Sequence, residues 1–416
     1  MSLRLEDTRS GERRAVRPRP GRPVTLYACG PTVYDAAHVG HARTYLFFDL
    51  VRRFLTSEGT PVHHVMNVTD FEDKIDKRAA ELGLTWRALA RREEAAFFRD
   101  MGAFGVLPPH DRPRASDFAP DIVRVAEALD RTGRVRREGD LWIYSPPDRP
   151  LGENFPMDTE LSRHAVPEAD HPFPRREGAL GEFVIWKRQR PPLPSWTSRW
   201  GPGSPGWHLE CYAMARRILD VPVDVHGGGL DLIYPHHHAE NEMALALDGR
   251  PFSRLFVHTA FVLQDGAKMS KSTGNLISLR TALRRSSRGG LRWYLLSTPH
   301  RVRLEWSPGA LDRSQDEYEG LRRHLDRWLR PGAGGTLGAS VMERLSQQVR
   351  SDLAEGLATD RVVERLRELS VRLARDPSDR VAAGERARAL VALREVEERT
   401  GIPLAPVRGR SGRRSR

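Results

Sequence analysis

Residues 24–68 read VTLYACGPTVYDAAHVGHARTYLFFDLVRRFLTSEGTPVHHVMNV, and this stretch decides the fold. The apolar run at 24–29 predicts a β-strand, and the Gly- and Pro-containing loop that follows ends it. Residues 43–55 then predict an amphipathic helix, and the run at 61–68 predicts a second strand. Because a strand–helix–strand unit of this kind makes its strands parallel, we expect an α/β protein with helices on both faces of a parallel sheet.

The remaining segments extend this pattern. Residues 71–105 and 116–133 predict helices, whereas the Pro-, Gly- and Trp-rich stretch 137–205 predicts an irregular or β-rich insertion. A strand–loop–helix rhythm resumes at 221–247, and 255–263 predicts another strand. We therefore expect an α/β domain over 1–310 with a connective insertion over 118–200, a helical bundle over 311–402 and a basic tail over 403–416.

Length, hydropathy and cysteine content limit the class of protein. The 416 residues suggest two to three domains of about 100–200 residues each. No apolar run approaches the roughly 18 residues that a membrane span needs, and the N-terminus lacks the apolar core of a secretion signal. Two cysteines, Cys29 and Cys211, cannot build a disulfide framework. We therefore expect a soluble cytoplasmic protein.

The basic residues are almost all arginines. They number 67 against 55 acidic residues, which gives a formal net charge of +12, yet only five are lysines. An arginine-rich surface is either simply well solvated or faces a polyanion such as nucleic acid. Two of the five lysines, Lys268 and Lys271, lie together in the sequence KMSKS. A lysine kept where arginine otherwise prevails indicates a position that needs a compact ammonium group.

The sequence HVGH at 38–41 lies in the loop that opens the first predicted helix. Free backbone N–H groups and the helix dipole attract phosphate at such a position. His38 and His41, at i and i+3, share one face and can donate hydrogen bonds to a developing phosphate anion. Gly40 leaves room for a flat ligand to approach the backbone. Two surface histidines would explain the tetrapeptide equally well.

Two further loops have a composition that suits nucleotide binding. In KMSKSTGN at 268–275, small polar residues and a glycine make a flexible loop from which two ammonium groups can reach a triphosphate. In VDVHGGGLDL, three glycines after a predicted strand permit close approach of a nucleotide, and Asp231 follows where a carboxylate can bind ribose hydroxyls. A solvated basic turn and a tight glycine turn are the respective alternatives.

A fourth group of residues could bind a metal ion. The sequence PHHHAENE predicts a helix with Pro235 in its first turn, so that His236 and Glu240 lie at i and i+4 on one face. With Cys29 and Cys211 they would supply two sulfur ligands, one nitrogen and one oxygen, a set suited to zinc. The alternative is that both cysteines are buried as small apolar residues.

Together these motifs resemble the class I aminoacyl-tRNA synthetases, and specifically the cysteinyl-tRNA synthetase family. HVGH and KMSKS match the signatures of the class. The segments YACGPTVYDAAHVGHARTYLFFD, NVTDFEDKI, FVIWK, PGWHLEC and VHGGGLDLIYPHH resemble the family in its own order, over residues 1–320. The resemblance implies a Rossmann-like catalytic domain followed by a C-terminal helical bundle, in a short form without the family's usual anticodon-reading domain.

The resemblance also implies roles for individual residues in the activation of L-cysteine by ATP and in transfer of the cysteinyl group to tRNA(Cys). The catalytic residues would be His38, His41, Lys268 and Lys271; the ATP-binding residues Gly40, Gly228, Gly229, Asp231 and Lys271; the cysteine-binding residues Thr69 and Trp207; and the zinc ligands Cys29, Cys211, His236 and Glu240. Mg²⁺ would accompany ATP.

One departure from the family leaves a zinc ligand open. The family reads PHHENE where this chain reads PHHHAENE. Ungapped matching places Glu240 in the ligand position, whereas a two-residue insertion would place Glu242 there. We expect one zinc ion per chain in either case.

Two other functions remain open. The first is a ligase that joins cysteine to an amino sugar, as in mycothiol synthesis, and such enzymes also end soon after the catalytic core. The second is a non-catalytic RNA-binding paralogue. If the substrate is tRNA, we expect a monomer that binds it mainly through phosphates, with the arginines of 321–396 and of the tail 408–416, because no segment after the bundle is long enough to fold as an anticodon reader.

We predict that Lys271→Ala lowers the rate of cysteinyl-adenylate formation by at least about 100-fold, with the affinity for cysteine nearly unchanged, because its charge would act chiefly on the transition state. Pyrophosphate exchange at saturating ATP measures this rate. Lys77→Ala, in a predicted helix outside the motif, is the control and should keep full activity. A loss confined to the Michaelis constant would limit Lys271 to ground-state binding.

Overall fold

The structure is a computed structural model, and it describes residues 1–148, 154–155, 181–269, 274–330, 337–375, 380–382 and 384–406. Its strands are β1 (Arg4–Glu6), β2 (Arg13–Ala15), β3 (Val24–Ala28), β4 (Val62–Met66), β5 (Val135–Glu138), β6 (Leu141–Tyr144), β7 (Phe183–Arg188), β8 (Gly203–Pro205), β9 (Val225–Gly229), β10 (Phe256–Thr259), β11 (Val262–Gln264), β12 (Ala267–Lys268) and β13 (Leu304–Glu305). Its helices are α1 (Val39–Ser57), α2 (Asp73–Glu81), α3 (Trp86–Phe104), α4 (Ala119–Asp130), α5 (His208–Ile218), α6 (His238–Asp248), α7 (Leu279–Arg285), α8 (Arg288–Leu296), α9 (Pro308–Trp328), α10 (Ser340–Ala354), α11 (Thr359–Arg375) and α12 (Arg386–Thr400). Across these described helices, none combines the length and the low polarity that a membrane crossing requires.

A four-stranded parallel sheet in the order β10–β9–β3–β4 forms the centre of the fold. Val24 lies opposite Val62 and Ala28 opposite Met66 in the β3–β4 pair, and Ala28 also lies opposite Gly227 of β9. Helix α1 connects β3 to β4, so the predicted strand–helix–strand unit is confirmed. Every residue of β3 is buried, as expected for a strand with a partner on each side. The carboxyl ends of these strands meet at one edge, where open α/β sheets bind ligands.

The insertion that follows α4 is organised as a second sheet. Strands β5, β6, β7 and β8 pair antiparallel in that order, which agrees with the β-rich alternative for this stretch. Trp186 is fully buried, and its ring centroid lies 5.8 Å from that of Trp200, which lies 5.8 Å from Trp142. Trp142 and Trp186 belong to the same buried apolar cluster as Tyr27 of β3 and Leu209 of α5, so the small sheet packs on the core of the α/β domain. The N-terminal hairpin of β1 and β2 had no signal in the sequence.

Two predicted elements are each divided in the structure. The helix expected over 71–105 is interrupted between α2 and α3, because Gly83 has a φ of +64° and Thr85 begins a new helix by accepting a hydrogen bond from the backbone N–H of Ala88 at 3.2 Å. The strand expected over 255–263 is two strands, β10 and β11, which join different sheets.

The C-terminal bundle packs against the α/β domain as part of one apolar core. Buried side chains from α1, α8 and all four bundle helices belong to a single cluster, for example Phe48, Trp293, Leu325, Val363 and Leu393. The predicted helical bundle is thus present, and its first helix starts at Pro308.

A buried ion pair joins α1, α8 and the end of α12. Arg292 Nη2 lies 2.6 Å from Asp49 Oδ2, and neither side chain has exposed surface. The guanidinium also donates to the carbonyl oxygens of Thr400 at 2.8 Å and Gly105 at 3.2 Å. Burial by itself would raise the pKa of the Asp49 carboxyl, but Arg292 and Arg53 outweigh it and lower that pKa below its ordinary value. The carboxylate therefore stays charged and needs its partner.

We predict that Arg292→Met lowers the free energy of unfolding by about 3–5 kcal/mol, because Asp49 is left as a buried charge without its main partner. The control is Arg285→Met, which removes an exposed pair with Asp312 and should cost less than about 1 kcal/mol. Denaturant unfolding of the two variants measures both values. Equal small losses would contradict the role given to Arg292.

Candidate active site and metal centre

The HVGH sequence forms the start of α1. His38 is the residue that caps the helix, and its Nδ1 accepts a hydrogen bond from the backbone N–H of His41 at 3.3 Å. In return, Nδ1 of His41 accepts from the backbone N–H of His38 at 3.4 Å, and the two rings stack with centroids 3.7 Å apart. A Cβ at Gly40 would lie 2.9 Å from the His38 ring, so glycine lets the rings stay in place. Both imidazoles are thus held at a helix N-terminus, where an anion is favoured.

The segment after KMSKS lies against this histidine pair. The backbone N–H of Val39 donates to the carbonyl oxygen of Ile277 at 3.0 Å. Before the motif, β12 ends at Lys268, whereas Lys271 lies outside the described residues. The chain that leaves the KMSKSTGN loop is therefore hydrogen-bonded directly to the HVGH loop.

Steric contacts explain why glycine occupies each position of the triplet 227–229. A Cβ at Gly227 would lie 1.7 Å from the carbonyl oxygen of Val257 in the adjacent strand. A Cβ at Gly228 would lie 2.6 Å from Leu232 Cδ1, and one at Gly229 would lie 2.5 Å from Asp231 Oδ1. Glycines at these positions permit close packing of the strands and let Asp231 lie near the end of β9. This placement is compatible with the nucleotide-binding role expected of Asp231, and the steric requirement for glycine holds with or without that role.

The structure brings the four predicted metal ligands together. Cys29 follows β3, Cys211 lies on α5, and His236 and Glu240 flank the start of α6. The two Sγ atoms are 3.7 Å apart, His236 Nε2 is 3.3 Å from Glu240 Oε1, and one ligand atom from each residue lies within 4.8 Å of the others. All four side chains are buried.

The electrostatics of this cluster suit a cation. Burial raises the pKa of the Cys29 and Cys211 thiols and of the Glu240 carboxyl above their ordinary values, because the charged forms lose their hydration. A metal ion among them would reverse this effect, since thiolate and carboxylate ligands are stabilised as anions by the ion they bind. The donor set therefore fits a metal ion.

The helix around His236 differs from the sequence-based prediction. Helix α6 begins at His238, so Pro235 does not occupy its first turn; it lies in a π-type turn, Ile233–His237, that contains the extended residue Tyr234. The His236–Glu240 pair still meets across this turn. Glu242 points elsewhere, because its Oε1 accepts from Asn154 Nδ2 at 2.7 Å. The geometry therefore favours Glu240 over Glu242.

Three buried histidines around this cluster were missed from the sequence. His226 Nε2 lies 2.7 Å from Glu240 Oε2, and His237 Nε2 lies 3.3 Å from Cys29 Sγ. Behind them, His258 Nε2 lies 2.6 Å from His237 Nδ1. Cys29, His226, His237 and Glu240 form a second group with metal-ligand spacing. Neighbouring histidines in VHGGG and PHHH were the available signal, and only the fold could show that they meet.

The predicted cysteine-binding residues lie next to the metal cluster. The Trp207 ring stacks on His236 with centroids 4.5 Å apart and an interplanar angle of 15°. Thr69 Oγ1 donates to Glu210 Oε2 at 3.1 Å, and Glu210 is the residue before Cys211. Burial raises the pKa of the Glu210 carboxyl well above its ordinary value. Glu210 is a further residue that the sequence did not single out.

Tyr45 joins the histidine pair to the metal cluster. Its hydroxyl donates to the carbonyl oxygen of Cys29 at 3.0 Å, and its ring centroid is 6.3 Å from that of His41. A Cβ at Gly228 would also lie 3.7 Å from Cys29 Cβ. The histidine pair and the metal cluster are therefore neighbours at one edge of the sheet, with little more than the Tyr45 side chain between them.

Comparison with known proteins agrees with this arrangement. The family model for the tRNA synthetases class I (C) catalytic domain matches residues 15–316. Cysteine–tRNA ligase of Aeropyrum pernix is 36% identical over 349 residues, which cover 83% of this chain and 73% of the relative. The L-cysteine:1D-myo-inositol 2-amino-2-deoxy-alpha-D-glucopyranoside ligase of Mycolicibacterium gilvum is 37% identical over 371 residues, which cover 87% and 81%.

A solved structure agrees at the level of the fold. Methionyl-tRNA synthetase of Mycobacterium tuberculosis, in complex with methionyl-adenylate, superposes with a TM-score of 0.61 at 17% sequence identity and covers 90% of each chain. With a Rossmann-like parallel sheet, a family match over most of the chain and relatives above 30% identity, this chain belongs to the cysteine-type family of class I tRNA synthetases.

Proposed function

We propose that this chain activates L-cysteine with ATP and transfers the cysteinyl group to tRNA(Cys). The observation that carries the proposal is the adjacency of two sites: a histidine pair at a helix N-terminus, and a buried cluster of two sulfur, one nitrogen and one oxygen donors. The first suits a phosphate that gains charge, and the second suits a soft metal that can select a thiol. Activation of cysteine would use both sites, the first for the α-phosphate of ATP and the second for the thiol of the amino acid.

The first step would join cysteine to AMP. A carboxylate oxygen of cysteine attacks the α-phosphorus, the bond to the β-phosphate breaks, and pyrophosphate leaves. His38 and His41 would donate hydrogen bonds to the α-phosphate oxygens, while Lys268 and Lys271 neutralise the β- and γ-phosphates of an ATP that enters with Mg²⁺. Positioning and charge stabilisation account for most of the catalysis in such transfers.

The second step would move the acyl group to RNA. The terminal ribose hydroxyl of tRNA attacks the carbonyl carbon of cysteinyl-adenylate, and AMP leaves with the electron pair of the broken C–O bond. Gly228, Gly229 and Asp231 would hold the adenosine through this step. Thr69 and Trp207 would flank the cysteine, and Trp207 is already fixed by its stacking on His236.

Zinc is the metal that we assign to Cys29, Cys211, His236 and Glu240. When bound, it would offer a soft Lewis acid that prefers a thiolate to the hydroxyl of serine, so that discrimination needs no editing site. The protein's own contribution is to exclude water and to orient the ligands. His226, which lies 2.7 Å from the second oxygen of Glu240, holds that carboxylate in place.

We predict that the purified protein contains about one zinc ion per chain and that Glu240→Gln and Cys211→Ser each lower this content at least tenfold, because a four-ligand site loses an anionic ligand. Glu242→Gln is the matched control, since Glu242 is a buried neighbour on the same helix that bonds to Asn154. Metal analysis of folded protein measures the result.

Undiminished zinc in Cys211→Ser would overturn the ligand set. Loss of zinc in Glu242→Gln with retention in Glu240→Gln would move the fourth ligand to Glu242. Circular dichroism of each variant separates metal loss from unfolding.

A cysteine ligase that acts on an amino sugar is the second candidate. It is favoured by the Mycolicibacterium relative, whose 37% identity is similar to that of the cysteine–tRNA ligase of Aeropyrum pernix and whose coverage of each chain is slightly higher. Both reactions share the adenylate and differ only in the acceptor that attacks it. The metal cluster and the histidine pair therefore cannot distinguish the two.

We expect the protein to catalyse cysteine-dependent exchange between ATP and pyrophosphate, and then to charge tRNA(Cys) rather than to consume an amino sugar. Exchange with labelled pyrophosphate, followed by parallel acceptor assays, tests both steps. Exchange without tRNA charging, together with consumption of glucosaminyl-inositol, would establish the second candidate. Absence of exchange in zinc-loaded protein would leave a non-catalytic RNA-binding protein.

The arginines expected to contact tRNA are already engaged in several places. In the bundle, Arg365 pairs with Asp352 at 3.0 Å and Arg388 pairs with Glu343 at 2.8 Å, while the tail 408–416 lies outside the described residues. Phosphate binding by the bundle and a monomeric state both remain predictions.

A further inference from the structure

Arg43 is a buried cation just after the histidine pair. It lies on α1, two residues beyond His41, and is only 3% exposed. Among the described residues no carboxylate pairs with it, and burial lowers the pKa of its guanidinium from the ordinary range to about 10. The group therefore stays charged at neutral pH although it lacks an anionic partner. None of the roles assigned above accounts for this arginine.

The guanidinium of Arg43 binds three backbone carbonyl oxygens from two separate segments. Its Nη1 donates to Phe261 at 3.1 Å, whereas its Nη2 donates to Pro299 at 2.9 Å and to Val302. Phe261 directly precedes β11, and Val302 lies two residues before β13. Because the two nitrogens reach different segments, one planar side chain fixes the starts of both strands to α1.

These two strands lead into the KMSKSTGN loop. Strand β11 pairs in parallel with β13, and the Phe261 carbonyl oxygen also accepts from the backbone N–H of Leu304 at 3.0 Å. On its other side β11 pairs antiparallel with β12, and Leu263 lies opposite Lys268. Each strand of this sheet has only two or three residues, so few hydrogen bonds within the sheet fix its position. The backbone of Lys268 is therefore linked to Arg43 through β11.

The other end of the loop is fixed to the residues at the start of α1. The backbone N–H of Leu279 donates to the carbonyl oxygen of Ala37 at 2.8 Å, and an antiparallel bridge joins His38 to Ser278. The chain thus leaves the loop through backbone bonds to the HVGH segment. The attachment where the chain enters the loop is made by the Arg43 side chain, so a substitution can remove it.

Packing alone does not explain an arginine at this position. The elements that Arg43 joins contribute Phe47, Val262 and Leu304 to the apolar core, and an apolar side chain would fit among them without a charge. A buried cation without an anion is costly, and carbonyl dipoles compensate only part of that cost. An arginine here indicates that the position requires hydrogen-bond donors on two sides rather than bulk.

We propose that Arg43 is a positioning residue for adenylate formation: by fixing β11 and β13 to α1, it sets the place of Lys268 relative to His38 and His41. The proposal rests on the proposed function, because it needs a phosphate group that the lysine and the histidines approach together. Arg43 would touch neither ATP nor cysteine. Its loss would therefore slow the reaction without weakening the binding of cysteine or zinc.

The test compares Arg43→Met with Arg43→Lys in cysteine-dependent pyrophosphate exchange. We expect kcat to fall about 30-fold in both variants, because a small misplacement of the reacting groups removes much of the rate. The KM for cysteine and the zinc content should stay within about twofold of the values for the unaltered protein. Lysine keeps the charge, but one ammonium group cannot replace a fork that reaches Phe261 and Val302 together.

Hydrogen exchange gives a second measurement that needs no activity. The backbone amides of 262–268 should exchange at least about tenfold faster in both variants, while the amides of β3 exchange as in the unaltered protein, because the loosening is local. The matched control is Arg292→Met, which removes another buried guanidinium that binds α1 and two carbonyl oxygens. This control should lower the free energy of unfolding and leave kcat unchanged.

Unchanged kcat in both Arg43 variants would overturn the proposal, and so would full recovery of kcat in Arg43→Lys, since a charge alone would then suffice. An equal fall of kcat in Arg292→Met, or exchange in β3 accelerated as much as at 262–268, would reduce the role of Arg43 to general stability and overturn it as well. Absence of pyrophosphate exchange in the zinc-loaded unaltered protein would instead overturn the proposed function. In that case unchanged hydrogen exchange at 262–268 would separately overturn the anchoring by Arg43.

Discussion

The parallel pairing of β3 with β9 is the constraint on which the rest of the site depends. The backbone N–H of Cys29 donates to the carbonyl oxygen of Gly227 at 3.0 Å, and this bond continues the pairing one residue beyond β3. The close approach of β9 to its other neighbour, β10, tolerates no side chain at Gly227. Because β9 is held there, the loop after it turns back over Cys29 and delivers His236 and Glu240 to the same point.

Burial gives the cluster its chemical character. Two thiols and a carboxyl without water are costly to ionise, so they remain protonated unless a cation compensates them. His237 contacts the cluster without adding charge, since burial lowers the pKa of its ring well below the ordinary value and keeps it neutral.

Buried and exposed arginines follow different rules. Arg292 is stabilised only by its full set of partners, Asp49 and two carbonyl oxygens, and so it fastens the bundle to the α/β domain. Exposed arginines gain little from pairing and are free to exchange partners.

By itself, the sequence determined the strand–helix–strand unit, the helical bundle and the family, because hydrophobic periodicity and short motifs such as HVGH are local properties. It also named Cys29, Cys211, His236 and Glu240. Only the tertiary structure decided that these four share one buried point and that Glu240 rather than Glu242 faces it, since residues 182 positions apart meet through strand order. The break of the helix at Gly83 and the layer of buried histidines likewise depend on backbone turns and non-local neighbours, which no local pattern encodes.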